Sequence, residues 1–400
     1  MKLEFPESPA GIHPPTAALM KILRVKGVTN PTNNQPYSEA LLFGIGGGIG
    51  VGYILYKFQH LPKPILVLGF RNQWNDSHAF LENLTQRLFF QVDFQAFDSA
   101  EEAQTNLKLN LQHGNPAIVW VDKAHLPYHQ LPGDLKGFIN YQVSVFGHDD
   151  RKAHFYLDDC SSQTFEIREK TLSIARSHIS PQNFLMMVFY QAGSLTPQEI
   201  RGSIITGIRE CAAQLTQART NIGISNLVTW ADQLTDQHNL TGWPQTFQEP
   251  RDLYPILRTI YESIKLNGSD GFALRKIYAD FLQEAAGILS NYGLNAVAGQ
   301  YLQLANHWSN LADNALPSSV PVFDRLKNLL NKKYDCYINH DFVTHQDISQ
   351  KLSALEKNIN DDFPLDSKDV DQLFNRFSSQ IKLITELENS AAHRLREVTY

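Results

Sequence analysis

The run Ala117-Ile118-Val119-Trp120-Val121 is short, wholly apolar and rich in β-branched side chains, the pattern of a strand buried on both faces. Similar runs follow at 141–146, 154–157 and 184–190, and others precede it at 65–68 and 88–97. Strands that succeed one another after residue 115 with short connections pair antiparallel. The helical signals of this half come mainly earlier. Pro14 and Pro15 open a helix that runs to Leu23, in a first turn where no backbone donor is lost. A second apolar segment follows Tyr37-Ser38-Glu39, Asp76 and Ser77 cap a helix to Leu88, and Ser99-Ala100-Glu101-Glu102 is the capping box of another that ends near Gly114. The order predicts an α+β fold with a largely antiparallel sheet.

Past Gly193 the strand signal stops. Thr196-Pro197-Gln198-Glu199 combines an N-cap, a proline at the first helical position and an acid three residues on, and opens a helix to about Gln217. Helical patterns recur at 224–238, 251–266, 270–289, 293–314, 321–333 and 346–390. Two domains are expected, 1–192 with the sheet and 193–400 all-helical.

Composition narrows the function. The 35 Lys and Arg against 41 Asp and Glu leave a net charge of −6, and no basic cluster stands out, so nucleic acid is not an expected partner. Three cysteines, Cys160, Cys211 and Cys336, are too few and too scattered for a disulfide framework or a Cys-rich zinc site. Residues 1–11 carry two prolines and two acids where a signal peptide needs an apolar core. The longest uncharged apolar stretch, 40–56, holds six glycines and falls short of a membrane span. A cytoplasmic protein without cofactor, metal or membrane attachment is expected.

Specific residues carry a resemblance. Ser38-Glu39-Ala40-Leu41-Leu42-Phe43-Gly44-Ile45-Gly46-Gly47-Gly48-Ile49-Gly50 resembles the butirosin biosynthesis protein H family, as do Gly11-Ile12-His13-Pro14-Pro15-Thr16-Ala17-Ala18-Leu19 and Asn115 to Asp122 leading to Leu126-Pro127-Tyr128. The strand pair 138–147 and 153–159 fits as well. The C-terminal half is similar to the domain of unknown function that commonly follows, through Gly271-Phe272-Ala273-Leu274-Arg275-Lys276-Ile277-Tyr278 onward and Trp308. The likeness covers roughly 10–315 and leaves the end of the chain unplaced. It implies a papain-like N-terminal domain. The named member transfers an aminoacyl group from an acyl carrier protein thioester to an aminoglycoside amine. That chemistry implies a Cys at a helix N-terminus, a His from a later strand and an Asp on the next strand to orient the His.

This chain departs at two of the three positions. Pro14 stands where the resemblance places the nucleophile, and Tyr141 where it places the base; the acid falls at Asp159, or at Asp158 if the strand is one residue longer. Proline offers no nucleophile, tyrosine is a poor base at pH 7, and no Cys lies before Cys160. Thr16 sits two residues along the same helix and faces another way. Cys160 adjoins the acid, and a small core residue at a strand end is the competing reading. His13 either lines the cleft as acid or base or serves the helix start.

Other signals have plainer readings. Gly44 to Gly52 matches neither a dinucleotide nor a Walker loop; close backbone packing at a glycine-rich helix start explains it, and such a run also leaves room for an extended carrier arm. His125 and His129 have zinc-like spacing on a helix, but Pro127 between them argues for a loop. His148, Asp149, Asp150 and His154 read as solvated hairpin charges. The expectation is a catalytically degenerate relative that binds an acyl carrier protein, a small-molecule metabolite or a partner. The alternative is an active acyl- or aminoacyltransferase that transfers directly, with no covalent Cys intermediate. A third reading is an interaction protein whose helical domain does the work.

Overall fold

The structure, a computed structural model, describes residues 2–3, 10–57, 64–179, 183–217 and 223–399. Much of the N-terminal stretch read against a signal peptide, 4–9, lies outside the described residues. The chain forms two compact units, one of 1–42, 81–200 and 332–349, the other of 43–80, 201–331 and 350–400.

The first unit is built on a six-stranded antiparallel sheet. Across it lie Gln91–Gln95, Met186–Gln191, Ala117–Asp122, Asn140–Asp149, His154–Asp158 and Phe165–Arg168. All six residues of Ala117–Asp122 are buried, as its unbroken apolar run requires. Ala117, Val119, Val121, Val143, Val145, Phe155 and Leu157 form the core of one face with Leu107, Leu111 and Leu172 from the helices Ala100–Gln112 and Glu169–Arg176. Register pairs Ser144 with Asp158, which turns both away from that core. The helix Pro14–Val25 covers this second face, and its Lys21 Nζ donates to Asp158 Oδ1 at 2.5 Å and to the Ser161 carbonyl at 3.0 Å. The Ser99 hydroxyl caps its helix by accepting from Glu102 N at 3.1 Å.

The second unit contains an antiparallel hairpin, Ile49–Tyr56 with Ile65–Arg71, and long helices that include Tyr254–Lys265, Arg275–Leu289, Gly293–Ala315 and Ser367–Thr399. Its interior holds a buried charge pair. The Arg275 guanidinium donates to Glu388 Oε1 at 2.7 Å, to the Ala273 carbonyl at 2.7 Å and to the Gly50 carbonyl at 3.1 Å. Trp308 Nε1 donates to the same Glu388 oxygen at 2.9 Å, with Arg275 lying 5.1 Å over its ring. Two residues quoted for the family likeness thus meet on one carboxylate.

Several local expectations need correction. The glycine run follows a helix, Glu39–Ile45, and does not start one; Gly47 and Gly48 take φ of +119° and +66° to turn the chain into Ile49–Tyr56. No room for a carrier arm remains there. A Cβ on Gly44 would meet the Phe281 ring at 2.2 Å, and one on Gly52 would meet Trp74 at 2.2 Å. The pattern at 346–390 is two helices, Phe342–Asp361 and Ser367–Thr399, because Pro364 cannot continue a helix and Asp366 caps the next by accepting from Asp369 N at 2.9 Å. The strands Ile49–Tyr56 and Phe165–Arg168 and the helix Glu169–Arg176 were not foreseen.

Candidate functional site

The loop between Ala117–Asp122 and Asn140–Asp149 builds one wall of the site. Asp122 is wholly buried at the strand end, and its carboxylate accepts from Ala124 N at 3.2 Å and from Gly137 N at 2.7 Å. Gly137 has φ +86°, so a side chain there would strain this clamp. Between the two anchors the chain makes short 3₁₀ turns, and Pro127–His129 delivers Tyr128 and His129 inward. The loop expected from Pro127 is present, but His129 is buried, not a loose surface residue.

Asp159, just past His154–Asp158, collects these groups. Its Oδ2 pairs with His129 Nε2 at 2.9 Å and accepts from the Tyr128 hydroxyl at 3.0 Å. Tyr337 donates to the Asp159 carbonyl, and Tyr141 also bonds to the Asp159 side chain. Tyr337, Tyr128 and Tyr141 place their rings 4.8, 4.9 and 5.7 Å from that of His129. Burial would raise the Asp159 carboxyl, yet His129 and Lys123 together hold it below its ordinary value. Burial lowers His129 to about 4 despite its carboxylate partner, so the imidazole is neutral at pH 7. Burial and the Asp159 charge push the Tyr141 phenol far up, so it stays protonated. Asp158 does not face this cluster; Lys21 holds it, and burial raises it to about 6.

A second group gathers at the start of Pro14–Val25. Ser38 caps Glu39–Ile45 through Leu41 N, which leaves Glu39 in the first turn. The Glu39 carboxylate accepts from Ile12 N at 3.0 Å, His13 N at 2.7 Å and the Thr16 hydroxyl at 3.3 Å. Thr16 and His13 Nδ1 are 3.0 Å apart, and both residues are buried. A carboxylate therefore supplies the negative charge at this helix N-terminus, where the dipole favours an anion. Gly11 N donates to the Cys160 carbonyl at 3.1 Å and ties this group to the first. Burial, followed by the charges of Asp159, Glu39 and Asp158, drives the Cys160 thiol far above its ordinary pKa.

The structure thus brings Pro14, His13, Thr16, Tyr141, Asp159 and Cys160 into one neighbourhood and sends Asp158 elsewhere. Sequence reasoning weighed His129 only as a zinc ligand, read it as part of a loop and did not count it among the cleft residues. The family-like stretch was followed only to Tyr128, one residue short of it.

Apart from this site, His148, Asp150 and Glu169 place ligand atoms within 4.8 Å of one another, the one such group among the described residues. His148 is buried and 2.5 Å from Glu169, so the solvated-charge reading fails for it. Lys108 sits 2.7 Å from Glu169 and already supplies a cation. Among the described residues no helix is long and apolar enough to cross a membrane.

Comparison with known families gives two matches. The family described as butirosin biosynthesis protein H, N-terminal, matches residues 13–160, and a domain of unknown function matches 170–331. In this order the two matches give the chain the two-domain architecture of the butirosin biosynthesis protein H family. No curated protein matches it.

Proposed function

We propose that this chain is an acyltransferase-like protein of natural-product biosynthesis that binds an acyl group, free or on a carrier protein, and never holds it covalently. The carrying observation is the start of the Pro14–Val25 helix. Pro14 stands where the resemblance places the nucleophile, and the Glu39 carboxylate puts an anion at this helix start, where a thiolate would otherwise be favoured. A papain-like frame without its nucleophile fits the placement of Tyr141 beside Asp159. Cys160 is no substitute, since a buried neutral thiol beside two carboxylates is neither accessible nor ionised.

Incubation with a panel of acyl and aminoacyl pantetheine thioesters tests this. Intact-mass spectra should show no acyl adduct, while calorimetry detects binding of at least one thioester. An adduct lost on Cys160→Ala would overturn the reading. One observation favours a second reading, direct transfer to an acceptor: the His129–Asp159 pair.

A further inference from the structure

We propose that a cavity just past the end of the Pro14–Val25 helix is a binding site for a small uncharged aromatic molecule that carries a hydroxyl or carbonyl group. The cavity has a volume of about 330 Å³ and lies wholly within the first unit, between the segments around Val28 and Tyr37, Phe90 and residues 192–195. No residue of the candidate site at the start of that helix lines it. The proposal therefore stands apart from the acyl-binding reading.

Local sequence fixes the walls. Gly27 ends the helix with φ +65°; its N–H donates to the Arg24 carbonyl at 3.1 Å and that of Val28 to the Leu23 carbonyl at 2.9 Å. This pair of bonds closes a helix and turns the chain away from its axis. The chain returns through a two-stranded ribbon that pairs Thr29 with Pro36 and Asn30 with Gln35. Tyr37 follows, its ring edge-on to that of Phe90 at 6.1 Å. On the other side Gly193 N donates to the Phe89 carbonyl at 3.0 Å, and a Cβ on Gly193 would meet that oxygen at 2.4 Å, so the tie requires glycine. Phe90 N is held in turn by the Thr85 carbonyl at 2.9 Å. Backbone hydrogen bonds thus shape the cavity in advance, and a ligand has little to order on entering.

The lining selects the ligand. Val28, Pro31, Phe90, Ala192 and Leu195 supply apolar surface, and among the described residues no charged side chain lines the cavity. An ion entering it would lose hydration and gain no partner. Tyr37 is 2% exposed, and among the described residues no hydrogen bond reaches its hydroxyl. Burial pushes the phenol up, so it stays protonated and both donates and accepts. A buried hydroxyl without a partner is costly, and a hydroxyl or carbonyl on the ligand satisfies it. The two aromatic rings favour an aromatic body, packed offset or edge to face. An apolar cavity of roughly 150 Å³ takes one benzene ring, so about 330 Å³ admits two fused rings with a polar substituent.

Titration calorimetry of the full chain tests this with 2-naphthol as the probe and naphthalene-2-sulfonate as its charged counterpart. One 2-naphthol should bind per chain, and the sulfonate should bind at least about tenfold more weakly. Tyr37→Phe keeps the ring and removes only the hydroxyl; affinity should fall about fivefold, the ordinary worth of one hydrogen bond. Ala192→Phe fills the cavity and should abolish binding, with Leu195→Trp as a second blocking variant. Urea midpoints close to wild type show which variants fold. The proposal is overturned by a wild type that does not bind 2-naphthol up to its solubility, by a sulfonate that binds equally well, or by a folded blocking variant that binds as wild type does. An unchanged affinity in Tyr37→Phe overturns the part assigned to the hydroxyl. None of these outcomes bears on thioester binding, so the two readings fail separately.

Discussion

Arg275 is a residue whose removal should be felt throughout its unit. It is wholly buried, as is Glu388, and three backbone carbonyls and a tryptophan share the cluster. Taking away one partner leaves a charge in the interior with nothing to offset its lost hydration, which typically costs about 3–5 kcal/mol. Arg275→Met should therefore lower the urea midpoint strongly, and Glu388→Gln, which keeps an acceptor for Trp308, should cost less. Equal midpoints for Arg275→Met and wild type would show that the pair holds nothing together. The same logic separates Asp158 from Asp159. Adjacent in sequence, they point to opposite faces of the strand end, one to a lysine and one to a histidine.

At the scale of elements, the caps were the most legible feature. Ser99 accepts from Glu102 N, and Thr196 and Glu199 exchange hydrogen bonds in both directions. Ser99→Ala should cost about 1 kcal/mol, read from chemical denaturation, and an unchanged midpoint would mean that the bond contributes nothing. The central strands were legible because burial on both faces leaves no polar residue to blur the pattern. The Ile49–Tyr56 strand was not, since its glycines carry no periodicity and continue the apolar run of the preceding helix. Phe165–Arg168 is four residues, too short for alternation to register. In the site, Pro14, Tyr141 and Asp159 could be placed because they lie on regular elements or one residue past the end of one. His129 lies on a turn whose direction is set by hydrogen bonds that Asp122 accepts from residues 2 and 15 positions away, and no local pattern reports those.

For the molecule as a whole, pH is the informative variable. His129 titrates near 4 in the folded protein and near 6.5 unfolded, so the unfolded state binds more protons between those values. Stability should be full above about pH 6.5 and fall as pH drops toward 4, by up to roughly 3 kcal/mol from this group. Asp158, raised to about 6, acts in the opposite sense across part of the same window, because there the folded state holds the extra proton. Comparison isolates the histidine: His129→Gln should flatten the fall in denaturation midpoint between pH 6.5 and 4. A variant whose midpoint falls as steeply as wild type would refute the assignment.

The path of the chain adds a temporal consequence. Tyr337, which donates to the Asp159 carbonyl and flanks His129, lies 178 residues further along. On a ribosome adding about 5–20 residues per second, Asp159 emerges roughly 10–35 seconds before that tyrosine exists. During synthesis the histidine and its carboxylate wait with one wall missing. A nascent chain that stalls, or a transcript that ends in between, would yield the sheet with its histidine and carboxylate exposed to water.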